Sequence, residues 1–205
     1  MKNNSEKILR LVRVLQGPGG CNWDRAQTPL SLAPKLIEES HEAVEAIETG
    51  RRKHYAEEIG DLLFLVLSLI RSAQSRGWPR YETIIRTCVE KYVSRHPHVF
   101  GPARPDLSPD EIFARWEKQK TAAGAHPIGG VPRHLPALYQ AKRILDKAAR
   151  AGLIPATRRS RPASKSARRA VGRRLLRIVR EAVRRGIDPE SALRGEIRRL
   201  RRSLR

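Results

Sequence analysis

Four acidic residues are spaced so that two helices could present their carboxylates together. Glu39 and Glu42 are three residues apart, as are Glu58 and Asp61, and residues at this spacing share one face of a helix. If the two helices packed face to face, the four carboxylates would converge. Like charges about 4 Å apart repel by about 4 kcal/mol near a protein surface, so such a cluster needs protons, Lys or Arg partners or hard cations. Oxygen-only ligands favour magnesium or manganese.

The same carboxylates could instead form a solvated helix face, which is the usual place for acidic residues. Their surroundings decide between the two interpretations. Both segments carry apolar residues at helical spacing, namely Leu36, Ile37, Val44 and Ile47 in the first, and Ile59, Leu62, Leu63, Leu65, Val66 and Leu69 in the second. Helices of this kind pack together, and carboxylates beside the apolar stripe are partly desolvated. This context favours a metal site.

Apolar periodicity predicts an all-α fold that would position these residues. We expect helices over residues 5–16, about 31–50, about 53–76, 80–95 and 110–123. Gly50 and Gly77 are typical helix C-terminal residues, and Ser108-Pro109 supplies a cap and a first-turn proline. A loop is expected around residues 21–29. No segment alternates with period two, and the short connections favour antiparallel neighbours.

Length and composition restrict the class of protein. The chain has 205 residues, of which 40% are hydrophobic, enough for the helical core of one ordinary domain or two small ones. No run approaches eighteen apolar residues, and the N-terminus leads directly into an amphipathic pattern. Cys21 and Cys88 have neither zinc nor redox spacing. We therefore expect a soluble, cytoplasmic protein with reduced thiols.

The net charge of +21 is concentrated after residue 125. Residues 1–125 carry 19 Lys and Arg against 16 Asp and Glu, whereas residues 126–205 carry 23 against 5. The basic part could dock through an apolar stripe and leave its arginines solvated. It could instead bind RNA, DNA or an acidic protein. Few aromatic residues accompany the arginines, which argues against base stacking, and the first interpretation is favoured.

Five motifs, in order, closely resemble those of the MazG nucleoside triphosphate pyrophosphohydrolases over the first 121 residues. They are Gly19-Gly20-Cys21-Asn22-Trp23-Asp24 followed by Gln27-Thr28, then Glu38 to Glu42, Glu58 to Phe64, Arg95 to Gly101, and Trp116 to Lys120. The resemblance implies a MazG-like helical bundle that forms homodimers. It also implies hydrolysis of a nucleoside triphosphate to the monophosphate and pyrophosphate, in a role of nucleotide-pool housecleaning.

The resemblance further implies roles for individual residues. Glu39, Glu42, Glu58 and Asp61 would hold Mg²⁺, or Mn²⁺, and Glu38 would act beside them as a catalytic residue that orients water or a metal-bound ligand. The substrate-binding positions fall on Lys91, Arg95, Trp116 and Lys120. Each of these two pairs is four residues apart and shares a helix face, which would supply cations for phosphates and an aromatic plane for a base. Trp23 either closes over the substrate or anchors its loop on the core.

Residues 129–152 resemble the connector of two-copy MazG proteins, and the residues after it resemble a worn second copy. The sequence therefore predicts a pyrophosphohydrolase domain over 1–125, a connector over 126–157 and a basic, degenerate second unit over 158–205. When Gly172 is aligned with Gly60, Ala170 and Arg173 replace two of the carboxylates. The second unit is thus not expected to hold metal in the same way.

An alternative function is that of a catalytically weak dimeric scaffold that binds nucleic acid or an acidic partner through the Arg-rich part. A scaffold has no need of complete acidic and substrate-binding motifs together. Their presence favours the enzyme.

Overall fold

A computed structural model of the chain describes residues 4–101, 107–122, 126–155 and 163–204. Within these ranges all regular structure is helical, which confirms the predicted all-α fold. The chain divides into two compact units, Met1–Ala103 and Arg104–Arg205. The functional division at residues 125 and 157 stays a prediction.

Unit 1, Met1–Ala103, contains six helices in its described part. They are α1 (Asn4–Leu15), α2 (Asn22–Ala26), α3 (Pro29–Thr49), α4 (Arg52–Gln74), α5 (Tyr81–Arg95) and α6 (Pro97–Phe100). The four longer helices lie close to their predicted positions. The prediction of a loop around residues 21–29 is wrong in part, because the short helix α2 forms inside it. A hydrogen bond from the Arg25 N–H to the Cys21 carbonyl, at 3.0 Å, closes this helix.

The α3 and α4 helices form a hairpin at the centre of unit 1. Thr28 begins α3 through a capping box in which its hydroxyl accepts from the Ser31 N–H at 3.0 Å and the Ser31 hydroxyl accepts from the Thr28 N–H at 2.9 Å. Gly50 ends α3 with φ of 68°, a left-handed conformation that favours glycine. Hydrogen bonds from Gly50 and Arg51 back to Ile47 and Ala46 complete a Schellman turn.

Small side chains let the two helices approach closely. The buried residues of α3 are Leu32, Ala43 and Ala46, and those of α4 are Leu65, Ser68, Ser72 and Ala73. The α1 helix also packs on α4 and buries Val12. Gln16, just after α1, donates its side-chain N–H to the Ser68 carbonyl at 3.3 Å. Core packing therefore holds α3 against α4, and the Gln16 contact ties the end of α1 to α4.

Unit 2, Arg104–Arg205, has four helices in its described part and its own apolar core. The helices are α7 (Pro109–Ala122), α8 (Ala137–Arg150), α9 (Lys165–Arg184) and α10 (Pro189–Ser203). Val131, Ala137, Ile144 and Ile197 form the core, which joins α8 to α10. The carboxylate of Glu190 accepts the Ala137 N–H at 2.9 Å, so α10 also caps the start of α8.

The α9 helix differs from its neighbours because none of its twenty residues is buried. It ends before Gly186, where φ is 67°, and α10 restarts with Asp188 accepting from the Ser191 N–H at 3.0 Å. Of the helices in the described ranges, none has the length and apolar character needed to cross a bilayer.

Candidate active site

Three of the four predicted metal ligands converge where α3 and α4 face each other. Glu39 of α3 and Glu58 and Asp61 of α4 each offer a carboxylate oxygen within 4.8 Å of those of the other two. Glu39 and Glu58 are half-buried, and Asp61 is exposed. The i, i+3 spacing on α4 and the hairpin geometry together produce this cluster, as the sequence pattern indicated.

Glu42 lies outside this group of three, but its negative charge acts on Glu58. Partial burial raises the pKa of Glu58 above its ordinary value of 4.5, and the charge of Glu42 raises it further. Burial, followed by the charges of Glu42 and Asp61, likewise raises the pKa of Glu39, while Lys35 opposes that shift. Glu38 is exposed and adds a further negative charge near Glu39.

After desolvation, the charges of neighbouring carboxylates are the next cause of both raised pKa values, and Lys35 offsets them only in part at Glu39. A hard divalent cation would remove that repulsion, and the Glu39, Glu58 and Asp61 set consists of oxygen donors alone. Mg²⁺ and Mn²⁺ fit such a set better than a thiophilic metal does. The residues present therefore fit a divalent cation.

A second group, His54, Glu57 and Glu58, also places its donor atoms within 4.8 Å of one another. His54 Nδ1 lies 3.9 Å from a Glu57 oxygen, and both side chains are largely exposed. Because Glu58 belongs to both groups, its carboxylate connects the acidic cluster to an imidazole. His54 lies one helical turn before Glu58, so the spacing in the sequence could have placed this imidazole beside the carboxylate.

A cavity of about 170 Å³ opens beside the carboxylates and includes Glu39 and Asp61 in its wall. The other lining residues are Gln16, Trp23, Asp24, Gln27, Leu32, Lys35, Phe64, Leu65 and Ser68. The wall thus combines aromatic surface, amide and hydroxyl groups, and one lysine. The Ser68 hydroxyl oxygen is buried without a hydrogen-bond partner among the described residues, so the cavity contains an unused polar group.

Sequence reasoning missed several of these lining residues. Lys35 lies one turn before Glu39 on α3, and that spacing alone could have identified it. Gln16 follows α1 and Ser68 lies in α4, and only tertiary packing brings them together. Trp23 lines the cavity and is 55% exposed, so it is available to cover a bound group.

The four predicted substrate-binding residues lie elsewhere in the chain. Lys91 and Arg95 are in α5 of unit 1, where the Lys91 ammonium lies 5.1 Å from the centre of the Tyr92 ring, and neither residue lines the cavity. Trp116 is half-buried in α7 of unit 2. The side chain of Lys120 lies outside the described residues. Their substrate contacts stay predictions.

Comparison with known proteins identifies the family. The family model of the MazG nucleotide pyrophosphohydrolase domain matches residues 27–100, the segment that contains all four clustered acidic residues. A protein of Thermotoga maritima named nucleoside triphosphate pyrophosphohydrolase/pyrophosphatase MazG is 38% identical over 151 residues, which cover 72% of this chain and 57% of that protein. The chain belongs to the MazG family.

Further relatives extend the MazG similarity beyond the matched domain. The nucleoside triphosphate pyrophosphohydrolase of Escherichia coli K12 is 35% identical over 156 residues, or 73% of this chain and 59% of that protein. An uncharacterized 26.1 kDa protein of Streptomyces cacaoi is 35% identical over 179 residues, or 85% of this chain and 71% of that protein. The chain thus spans less than two thirds of the length of the two relatives named as pyrophosphohydrolases.

Proposed function

We propose that this MazG protein is a Mg²⁺-dependent nucleoside triphosphate pyrophosphohydrolase that converts NTP and water to NMP and pyrophosphate. The convergence of Glu39, Glu58 and Asp61 at the wall of a mixed aromatic and polar cavity supports this activity most directly. The names of the Thermotoga maritima and Escherichia coli relatives agree with it. The family's role in nucleotide-pool housecleaning is part of the same proposal.

In this proposal the carboxylates of Glu39, Glu42, Glu58 and Asp61 hold the divalent cation. When bound, the cation would offset phosphate charge and lower the pKa of water. Glu38 lies next to the cluster with an exposed carboxylate, suited to orient the attacking water and accept its proton.

The cavity wall suggests how the substrate is placed. The triphosphate lies toward the carboxylates, where Lys35 offsets part of its charge. The sugar and base extend out of the cavity, because about 170 Å³ is too small to enclose a whole nucleotide, and the rings of Trp23 and Phe64 at the wall offer stacking surfaces to the base. Lys91, Arg95, Trp116 and Lys120 would add the phosphate and base contacts that the sequence motifs predict.

The experiment that tests this activity resolves reaction products by anion-exchange chromatography. Each common NTP and dNTP is incubated with the protein in Mg²⁺ or in EDTA. We expect monophosphate and pyrophosphate in Mg²⁺ alone. Glu39→Gln should lower kcat by about 100-fold or more, because it removes a ligand carboxylate. Glu45→Gln, an exposed change on the same helix, is the matched control and should stay within twofold.

Two results would contradict the proposal. One is a folded wild-type protein that turns over none of the nucleotides. The other is full activity of Glu39→Gln, which would remove the metal assignment while leaving the family membership intact.

We further propose that the chain pairs with a second copy through the outer face of the α3–α4 hairpin. Ile37, Ile47 and Leu63 are 63%, 60% and 50% exposed, an apolar surface that the described residues of unit 1 leave uncovered. Light scattering after size exclusion should give the mass of a dimer, and Ile47→Asp should reduce it to that of a monomer. Glu48→Asp is a neighbouring control. A monomeric wild-type protein would disprove the pairing.

A further inference from the structure

Unit 2 contains a basic pocket that is separate from the acidic cluster of unit 1. The pocket has a volume of about 320 Å³ and lies between α10, the start of α8 and the segment that precedes α8. It is lined by Arg133, Gln140, Arg194, Arg198, Arg201 and Arg202. Five of these six residues carry a permanent positive charge, and none of the described residues in the wall is acidic. The pocket therefore has the charge of an anion-binding site.

Only part of this charge is neutralised by the protein. Arg194 pairs with Glu190 at 2.7 Å and donates a second hydrogen bond to the Arg133 carbonyl at 2.8 Å. The same Glu190 carboxylate accepts the Ala137 N–H, so it is already shared. Within the described part of unit 2, no carboxylate lies within 4.0 Å of the guanidinium groups of Arg133, Arg198 or Arg202. These three cations remain available.

The guanidinium group of Arg201, which lines the pocket, also lacks compensating negative charge. One guanidinium nitrogen donates to the Val131 carbonyl at 2.9 Å, whereas its Nε is buried and has no partner among the described residues. Burial lowers the pKa of Arg201, and the nearby positive charge of Arg133 lowers it further. A buried N–H without an acceptor is costly, and an anion in the pocket would supply that acceptor.

We propose that this pocket binds a pyrophosphate group, either as inorganic pyrophosphate or as the polyphosphate tail of a nucleotide. Planar guanidinium groups donate pairs of hydrogen bonds that match phosphate oxygens, and several of them are needed to offset a multiply charged anion. The volume lies at the low end of small-molecule pockets, which suits a compact ligand. None of the described residues that line the wall is aromatic, so the site recognises phosphate groups and leaves a base outside.

Calorimetric titration of the full-length protein with inorganic pyrophosphate tests the site. The buffer contains EDTA, so that binding at the carboxylates of unit 1 that depends on a divalent cation makes no contribution. It also contains salt at about 0.15 M, which screens weak surface attraction. The test variant is Arg198→Gln with Arg202→Gln, both exposed positions on α10. The control is Arg173→Gln with Arg177→Gln on α9, which removes the same charge at the same spacing from another basic surface.

The expected result is saturable micromolar binding that the α10 variant weakens at least tenfold and the α9 control weakens less than twofold. Arg198→Gln alone should give an intermediate loss, and circular dichroism should show the same helix content in every variant. Titration with ATP distinguishes the two sources of the group, because equal affinity for ATP and pyrophosphate shows that phosphates alone are read. Tighter binding of ATP than of pyrophosphate would show that the ligand is the polyphosphate tail of a nucleotide.

Three results would overturn the proposal. The first is no binding of pyrophosphate or ATP by the wild-type protein in EDTA. The second is equal weakening by the α9 and α10 variants, which would show diffuse attraction. The third is tight binding of a short single-stranded RNA with no competition from pyrophosphate, which would assign the arginines to a nucleic acid. Since the titration contains no divalent cation and measures no turnover, its outcome is independent of the proposed hydrolysis.

Discussion

Glu39 and Glu58, on facing helices, place carboxylate oxygens within 4.8 Å of each other and of an oxygen of Asp61. Carboxylates this close repel one another, which favours protonation over the charged form. Protons and a divalent cation therefore compete for the same oxygens. The affinity of the site for Mg²⁺ should consequently fall as the pH is lowered, which calorimetric titration at a series of pH values would measure. Unchanged affinity across acidic pH would contradict this competition.

The raised pKa values also predict how stability depends on pH in metal-free buffer. Between 4.5 and the raised pKa values of Glu39 and Glu58, the folded protein holds more protons than the unfolded chain. The contribution of these groups to the free energy of unfolding therefore falls as the pH rises through that window, and the folded protein becomes less stable. Glu58→Gln removes one charge, so in EDTA at neutral pH it should raise Tm by a few degrees, and the gain should shrink toward pH 4.

Thermal unfolding at both pH values measures this effect, with Glu48→Gln, an exposed change on α3, as the control. Added Mg²⁺ should raise the Tm of the wild type more than that of Glu58→Gln. A lower Tm of Glu58→Gln in EDTA would show that the repulsion inferred from the cluster is absent.

Trp23→Ala tests the placement of the substrate. Stacking of an aromatic side chain on a base contributes about 1–3 kcal/mol, so its loss should raise KM for the nucleotide roughly tenfold. Trp78→Ala is the matched control, because Trp78 is similarly exposed, at 61% against 55%, and does not line the cavity. Steady-state kinetics on the preferred nucleotide would measure both variants. Equal effects of Trp23→Ala and Trp78→Ala on KM would indicate that Trp23 only anchors its loop on the core.

Two glycines of the α3–α4 hairpin should respond in opposite directions to alanine. Gly50 has a φ of 68°, so Gly50→Ala should destabilise the protein by about 1 kcal/mol. Gly60 lies within α4 with open space at the position of a Cβ atom, so Gly60→Ala should stabilise it by about 0.5–1 kcal/mol. Urea unfolding measures both changes. Destabilisation by Gly60→Ala would contradict the open space found at this position.

Truncations test the dependence of unit 2 on its last two helices. Ile144 of α8 is completely buried in a core to which α10 contributes Ile197. Removal of residues 158–205 should therefore expose the apolar face of α8 and cause aggregation. Removal of residues 126–205 takes that face away as well and should leave soluble, active protein. Light scattering and the hydrolysis assay distinguish these outcomes, and a monodisperse 1–157 fragment would contradict the first expectation.

The local parts of this structure could be predicted from sequence. Helical spacing identified the carboxylates of α3 and α4, and Gly50 marked the turn that lets them face each other. Both signals lie within one or two helical turns, where periodicity and backbone sterics determine the outcome. The short helix α2 was missed because its five residues are too few to show a period.

Contacts between distant segments could not be predicted in this way. Gln16 reaches Ser68 across 52 residues, and Arg201 reaches Val131 across 70. No spacing rule connects such residues, because their proximity depends on how helices pack. For the same reason, charge counts identified residues 126–205 as basic but gave no indication that five arginines surround one pocket.

The absence of buried residues in α9 has an evolutionary consequence. Substitutions at exposed positions usually change stability by less than about 0.5 kcal/mol, so packing places little constraint on the twenty residues of this helix. Its amino-acid choice is therefore free to follow the base composition of the genome, which favours arginine codons wherever guanine and cytosine are abundant. Among orthologues, α9 should drift in sequence while keeping its helical character, and α3 and α4 should change slowly.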